Sequence, residues 1–188
     1  MKNSTPTSDN RVHYQIVIAG FGGQGVVFLV KVLALCAGER NLAFLGTENH
    51  GMSQRGGAVS CDIKIGDFTN PVIDRAQADL IIGLDANETL RNLALLKAGA
   101  SVVSNAQEPF PPMPFAVHTV DGNAKALAGL FPIQGLNVYM LGQALATVED
   151  FPFSVDEVKG ALRTINAKLA DQNITILDQA IADAQATS

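Results

Sequence analysis

The sequence predicts an α/β fold, a three-layer α/β/α single domain with a mostly parallel but mixed sheet, and three observations carry that reading. Short, apolar, β-branched runs alternate with longer helical stretches, the pattern of helices packed on both faces of a sheet. A glycine loop joins the first such strand directly to the first helix. One alternating strand, Ala58 to Ile65, follows its neighbour through an irregular loop, so at least one strand should run antiparallel. At 188 residues the chain suits one domain, which typically takes ~100 to 200 residues.

The elements follow in order. Residues 1–12 are polar and lack an apolar segment of signal-peptide type, so they read as a flexible leader to a single domain over 13–188. Tyr14 to Ala19 is a buried strand that ends at glycine. After the loop Gly20 to Gly25, the run Val26 to Ala37 is a helix apolar on nearly every face, with Gly38 as its stop. Leu42 to Leu45 is a short strand, and Glu48 to Gly57 is an irregular connection. Ala58 to Ile65 alternates like a strand and turns at Gly66-Asp67. Leu80 to Leu84 is a buried strand; Asp85 caps the helix Ala86 to Leu96, with Glu88 completing a capping-box-like pattern. Ala100 to Ser104 and Ala116 to Val120 are strands on either side of the proline-rich Glu108 to Pro114, where helix is excluded. Asn137 to Thr147 is helical. Ser154 and Glu157 form a second capping box that opens a helix through Leu169, and Thr175 to Ala186 forms the last.

Composition limits the function. The net charge of -5 and the absence of a Lys/Arg cluster exclude a nucleic-acid or anionic-membrane surface. The apolar run at Val26 falls well short of the ~20 residues that span a bilayer, and a cytoplasmic location with reduced thiols is the default expectation. Cys36 and Cys61 are the two cysteines, too few for an iron-sulfur cluster or structural zinc, which need about four ligands. Both sit in apolar elements as small buried residues. With 47% hydrophobic and 16% charged residues, the chain is short of charged surface and implies a partner. The helix at 26–37 or the helix at 137–147 is the expected partner surface, and the chain is expected to self-associate when alone.

Two short motifs carry chemistry. Gly20-Phe21-Gly22-Gly23-Gln24-Gly25 fits G-x-G-x-x-G between strand and helix, where bare backbone and a helix N-terminus can receive an anion. It reads first as a site for an anionic or polar group other than a dinucleotide, then as a tight turn without ligand, and last as a nicotinamide or flavin nucleotide site. The nucleotide reading would use Glu48 as the ribose carboxylate. Glu48-Asn49-His50-Gly51-Met52-Ser53-Gln54-Arg55-Gly56-Gly57 offers a guanidinium beside bare backbone, a seat for carboxylate or phosphate, and a histidine able to exchange a proton near neutrality. The alternative is a glycine turn pinned by an Arg55–Glu48 ion pair. His13 and His118 carry no site, and Asp85 is either a cap or a strand-end ligand. No metal site, P-loop lysine or thiamine-diphosphate motif is present.

The two motifs at this separation resemble those of the gamma-type subunit of 2-oxoacid:ferredoxin oxidoreductases, most closely the indolepyruvate-specific kind. The resemblance extends through Asn70-Pro71, the Asp79 to Asp85 strand and Gly135-Leu136-Asn137-Val138-Tyr139-Met140-Leu141-Gly142, and covers nearly the whole chain. Gln107 to Pro114 departs from the family's pattern. The resemblance implies the gamma-domain fold and an accessory subunit, inactive alone, in oxidative decarboxylation of a 2-oxoacid such as indolepyruvate or pyruvate to acyl-CoA. Thiamine diphosphate and iron-sulfur clusters would sit on partner subunits, electrons would pass to ferredoxin, and coenzyme A is the candidate ligand at the subunit interface. It also implies a polar wall facing the thiamine-bearing partner: His50 and Arg55 in catalytic positions, with Gly22, Gly23, Gln24, Gly25, Gln54, Gly56 and Gly57 as cofactor-binding positions. The competing readings are a self-sufficient Rossmann-like nucleotide-binding protein and a non-catalytic assembly module.

Overall fold

In a computed structural model the described residues are 12–51 and 57–187. The expected leader, apart from Val12, lies outside them, as do Met52, Ser53, Gln54, Arg55 and Gly56. Six strands form one sheet in the order β2-β3-β1-β4-β5-β6: β1 (Tyr14–Phe21), β2 (Phe44–His50), β3 (Ala58–Ile65), β4 (Ala78–Gly83), β5 (Leu96–Asn105) and β6 (Ala116–Val120). β1, β4, β5 and β6 pair parallel. β3 runs antiparallel to both β1 and β2, so the irregular link before β3 does mark the reversed strand.

Pleating sorts the core. Ile16, Ile18, Cys61, Ile63, Ile65, Leu80, Ile82 and Val103 point to one face, beneath α1 (Val26–Glu39), α4 (Leu136–Thr147), α5 (Val155–Ile165) and α6 (Ala170–Thr187). Val17, Ile81 and Val102 point to the other, where Ile73, Leu93, Leu95, Phe110 and Phe115 cover them. The helical part of this second layer is α2 (Ala86–Asn92), pinned by the Thr89 and Ser104 hydroxyls at 2.8 Å. Because both faces are covered, β1 and β4 can be apolar almost throughout. The proline-rich segment contributes Phe110 to that cover.

Element ends differ from the sequence reading for identifiable reasons. Gly38 does not stop α1. The helix runs on to Glu39, Asn41 takes the left-handed conformation (φ 54), and the Asn41 and Leu42 N–H groups donate to Gly38 O and Ala37 O, a Schellman closure built on asparagine instead of glycine. β2 absorbs Glu48, Asn49 and His50, because β3 offers them a continuous ladder down to the Val59↔His50 pair. Asp85 caps α2 through Asn87 N and Glu88 N, but Glu88 turns to Arg91, so the box is not closed. The chain leaves α2 at Asn92 and re-enters the sheet at Leu96, where it pairs with Ala78.

A short helix, α3 (Gly122–Leu127), went unread in the sequence; Asp121 caps it through Ala124 N. Asn166 ends α5 early by adopting extended backbone and accepting from Lys168 N, which frees α6 to begin at Ala170. The Ser154 capping box is complete. α4 is buried from Leu136 to Ala144 by its own chain, so it is not an exposed partner surface.

Candidate functional site

The parallel strands carry their loops at one end of the sheet. There β1 leaves toward one face through α1, and neighbouring β4 leaves toward the other through α2. Such a divergence opens a crevice where α/β folds commonly hold ligands. Here amide side chains bridge its base. Gln24 Oε1 accepts from Phe21 N at 2.7 Å while its Nε2 donates to Leu84 O at 3.3 Å. Asn105 Nδ2 donates to the same carbonyl at 3.1 Å, and Asn105 Oδ1 accepts from Gly122 N at 2.9 Å. Gln24 therefore stitches the two diverging strands together.

Residues Gly20 and Phe21 still belong to β1, so the glycine loop proper is Gly22 to Gly25. Gly23 and Gly25 have φ of 94° and 85°, a region that L side chains enter only with strain. Gly25 N-caps α1 with no side-chain cap and no acidic residue in the first turn, which keeps that end of the helix electropositive. A side chain at Gly25 would also collide with the amide of Asn137, whose Nδ2 donates to Gly25 O at 3.3 Å. Asn137, placed by α4, thus seats the loop. The asparagine-led motif noted in the sequence was its only signal, and its target became visible only with α4 docked on α1.

The fold brings the two motifs together. Gly22 N donates to Gly57 O at 2.9 Å, and Gly51 N donates to Ala58 O at 2.8 Å. Phe21, Gly22, Gly23, Gly25, Val26, Val27, His50 and Val59 line one cavity of about 320 Å³. His50 Nε2 lies 3.1 Å from Glu48 Oε2, both side chains being largely exposed. Gln54, Arg55 and Gly56, the remaining expected site residues, lie outside the described residues. Apart from His50, the described walls are apolar side chains and bare glycine backbone. Val26, Val27 and Val59 were not foreseen as lining, since each reads in sequence as core, and Phe21 was noted only as a position of the glycine motif.

Glu48 does not sit where a dinucleotide's ribose would need it. β3 lies between β1 and β2, and at about 4.8 Å per strand spacing the Glu48 strand is two places from the glycine loop. The geometry departs there from the Rossmann arrangement, whose acidic residue ends the strand adjacent to β1.

Other candidates are placed in ordinary roles. Burial, with Glu157 and Glu39 nearby, pushes the Cys36 thiol up to about 12; burial, with Glu48 and Asp62, pushes Cys61 up to about 12 as well. Such thiols are poor nucleophiles at neutral pH. His13 stacks on Phe68 and His118 meets Gln143 Oε1 at 2.7 Å. Asp85 and Asp121, both helix caps, face a second cavity of about 340 Å³ with Asn105, Gln107 and Asn123. No group of three His, Cys, Asp or Glu among the described residues is arranged to hold a metal, and no described helix is long and apolar enough to cross a membrane.

Comparison with known proteins identifies the family and the fold. The pyruvate ferredoxin/flavodoxin oxidoreductase family matches residues 15–182. The indolepyruvate oxidoreductase subunit IorB of Methanothermobacter thermautotrophicus is 28% identical over 184 residues, covering 87% of this chain and 93% of that protein. In fold, the chain is similar to the gamma subunit of a keto/oxoacid ferredoxin oxidoreductase from Geobacter sulfurreducens, with a TM-score of 0.75 at 20% identity over 92% of this chain and 99% of that one. It is also similar to part of the 2-oxoglutarate:ferredoxin oxidoreductase of Magnetococcus marinus, a structure with 2-oxoglutarate, coenzyme A and succinyl-CoA bound; the TM-score is 0.73 at 15% identity, over 95% of this chain and 31% of that one. The chain belongs to the pyruvate ferredoxin/flavodoxin oxidoreductase family, as an IorB-like subunit of a 2-oxoacid:ferredoxin oxidoreductase.

Proposed function

We propose that this subunit walls the site in which a thiamine-diphosphate-bearing partner converts a 2-oxoacid, indolepyruvate being the leading candidate, to its acyl-CoA, with iron-sulfur clusters on partner chains passing the electrons to ferredoxin. The observation that carries the reading is the Gly22 N–H to Gly57 O bond, which holds the glycine loop against the second motif, with His50 on the same cavity. The proposed ligand there is coenzyme A. Its aliphatic arm suits walls of Phe21, Val26, Val27 and Val59, and a phosphate suits the uncapped N-terminus of α1. Thiamine diphosphate, when bound by the partner, supplies the carbanion chemistry of decarboxylation.

The residues of this chain bind and orient. Gly22, Gly23 and Gly25 admit the ligand close to backbone; Gln24 holds the loop's geometry from behind. Arg55, with Gln54, Gly56 and Gly57 around it, is the proposed anion seat, and its planar fork can make two charge-assisted bonds at once. Glu48 accepts from His50 Nε2, which leaves Nδ1 to exchange a hydrogen bond or a proton with substrate.

The test is steady-state kinetics of the reconstituted complex. Losing a desolvated charged pair costs about 2 to 5 kcal/mol; because lysine keeps the charge, Arg55→Lys should sit near the lower end, about a thirtyfold fall in turnover efficiency with assembly intact. Unchanged rates and unchanged apparent affinities for 2-oxoacid and coenzyme A would leave the chain as an assembly module.

A further inference from the structure

Among the described residues β2 has a neighbouring strand on one side only, and its other edge is the strongest unused feature. Gly51 N bonds Ala58 O, and Gly66 N bonds Ala43 O, and in the unbroken β2–β3 register each such pair of residue numbers sums alike. In an antiparallel ladder the hydrogen-bonded pairs alternate, so Ala43, Leu45, Thr47, Asn49 and Gly51 turn their main chain inward to β3. Phe44, Gly46, Glu48 and His50 therefore turn theirs outward, at the end of the sheet. Natural edges are normally blunted by proline, charged side chains or a bulge. β2 (Phe44–His50, FLGTENH) has no proline, lysine or bulge and one carboxylate, Glu48, and Gly46, Glu48, Asn49 and His50 are exposed.

We propose that β2 pairs antiparallel with β2 of a second copy of this chain about a two-fold axis at Thr47, making one continuous sheet across the dimer. The register selects itself. Centring on Thr47 sets Gly46 opposite Glu48 and Phe44 opposite His50, so that all four outward residues are paired. It also puts Thr47 opposite Thr47, a favourable cross-strand pair. Centring on Glu48 instead would oppose like carboxylates. The Phe44–His50 pairing has a consequence for the cavity, because the second copy's Phe44 then lies beside His50 and adds a wall that one chain lacks. The proposal rests on the strand register alone and stands apart from the proposed ligand.

Sedimentation and cross-linking of the full-length chain test it, alone and with its thiamine-bearing partner. A dimer is expected at tens of micromolar. Thr47→Cys should form a disulfide dimer on mild oxidation, since directly opposed, non-hydrogen-bonded residues have Cα atoms about 4.5 Å apart; Leu45→Cys, set opposite Asn49, should give a yield about tenfold lower. Gly46→Pro removes only an outward N–H and should give a monomer with an unchanged far-UV circular dichroism spectrum; should that variant misfold, the cysteine pair decides. The proposal is overturned by a monomeric parent chain, by a dimer that survives folded Gly46→Pro, or by equal cross-linking at positions 45 and 47. Exchange protection of the Gly46 and Glu48 amides that appears only on adding the thiamine-bearing subunit would assign the edge to that subunit and equally overturn it.

Discussion

Gly25 shows how tightly single positions are held: its φ of 85° and the Asn137 amide at its shoulder leave no place for a Cβ. A left-handed non-glycine residue costs roughly 1–2 kcal/mol, and displacing Asn137 also breaks its bond to Gly25 O. Gly25→Ala should therefore lower the free energy of unfolding by about 2 to 4 kcal/mol, read by urea titration. Asp183 is the second residue with a sharp expectation. Burial alone would raise its pKa, but bonds from Tyr139 Oη (2.8 Å), Gln179 Nε2 (2.8 Å) and Lys125 Nζ (3.1 Å) outweigh it and hold the carboxyl below its usual 3.8. A depressed folded pKa contributes stability that is fully present above the unfolded value and is lost as pH falls through the folded one. Asp183→Asn should cost about 2 kcal/mol at pH 7, and the gap to the parent chain should narrow steadily below about pH 4; a pH-independent gap would refute the electrostatic account. At this scale the sequence disclosed which residues matter in the two motifs, because glycine, histidine and arginine advertise their chemistry. It marked Asn137 only as part of a motif and did not disclose Asp183 at all, because their partners lie 112 and 44 residues away along the chain.

Elements meet as closely as residues do. α4 and α6 approach at Gly142, where a Cβ would stand 2.6 Å from Ala180 Cβ and 2.8 Å from Leu177 O. One of those neighbours is backbone and cannot swing aside, so Gly142→Val should cost near the top of the ~1–3 kcal/mol usual for overpacking. Thermal unfolding followed by circular dichroism would measure it, and a variant as stable as its parent would mean that the helices are less tightly docked. Ser154→Ala, which removes the capping-box hydroxyl from α5, should cost about 1 kcal/mol. Element cores were legible from apolar period alone, and all six strands were foreseen. Their ends were not: β2 was extended by a ladder offered by β3, and α1 was closed by an asparagine in a role usually filled by glycine.

The whole molecule is an IorB-like subunit, and the proposed function divides the chemistry between it and its partners. Cys36 lies in α1 and Cys61 in β3, both buried, and a cluster of the usual kind takes about four thiolates. The purified chain is therefore expected to be colourless and to have no 2-oxoacid oxidoreductase activity until the thiamine-bearing partner is added. Stoichiometric iron or flavin in the isolated chain, measured by absorbance and metal analysis, would contradict this.

The sequence by itself determined the fold class, the order of the strands along the chain, the reversed β3 and the pair of motifs that place the chain in its family, since apolar period, glycine placement and capping are local properties. Only the tertiary structure decided the spatial strand order, with β3 set between β1 and β2. It also decided that Gln24 and Asn105 meet at the Leu84 carbonyl and that the glycine loop and His50 share a cavity. These depend on which backbone groups face one another after strands far apart in sequence have paired, and hydrogen bonding across that distance leaves no periodic trace in the chain.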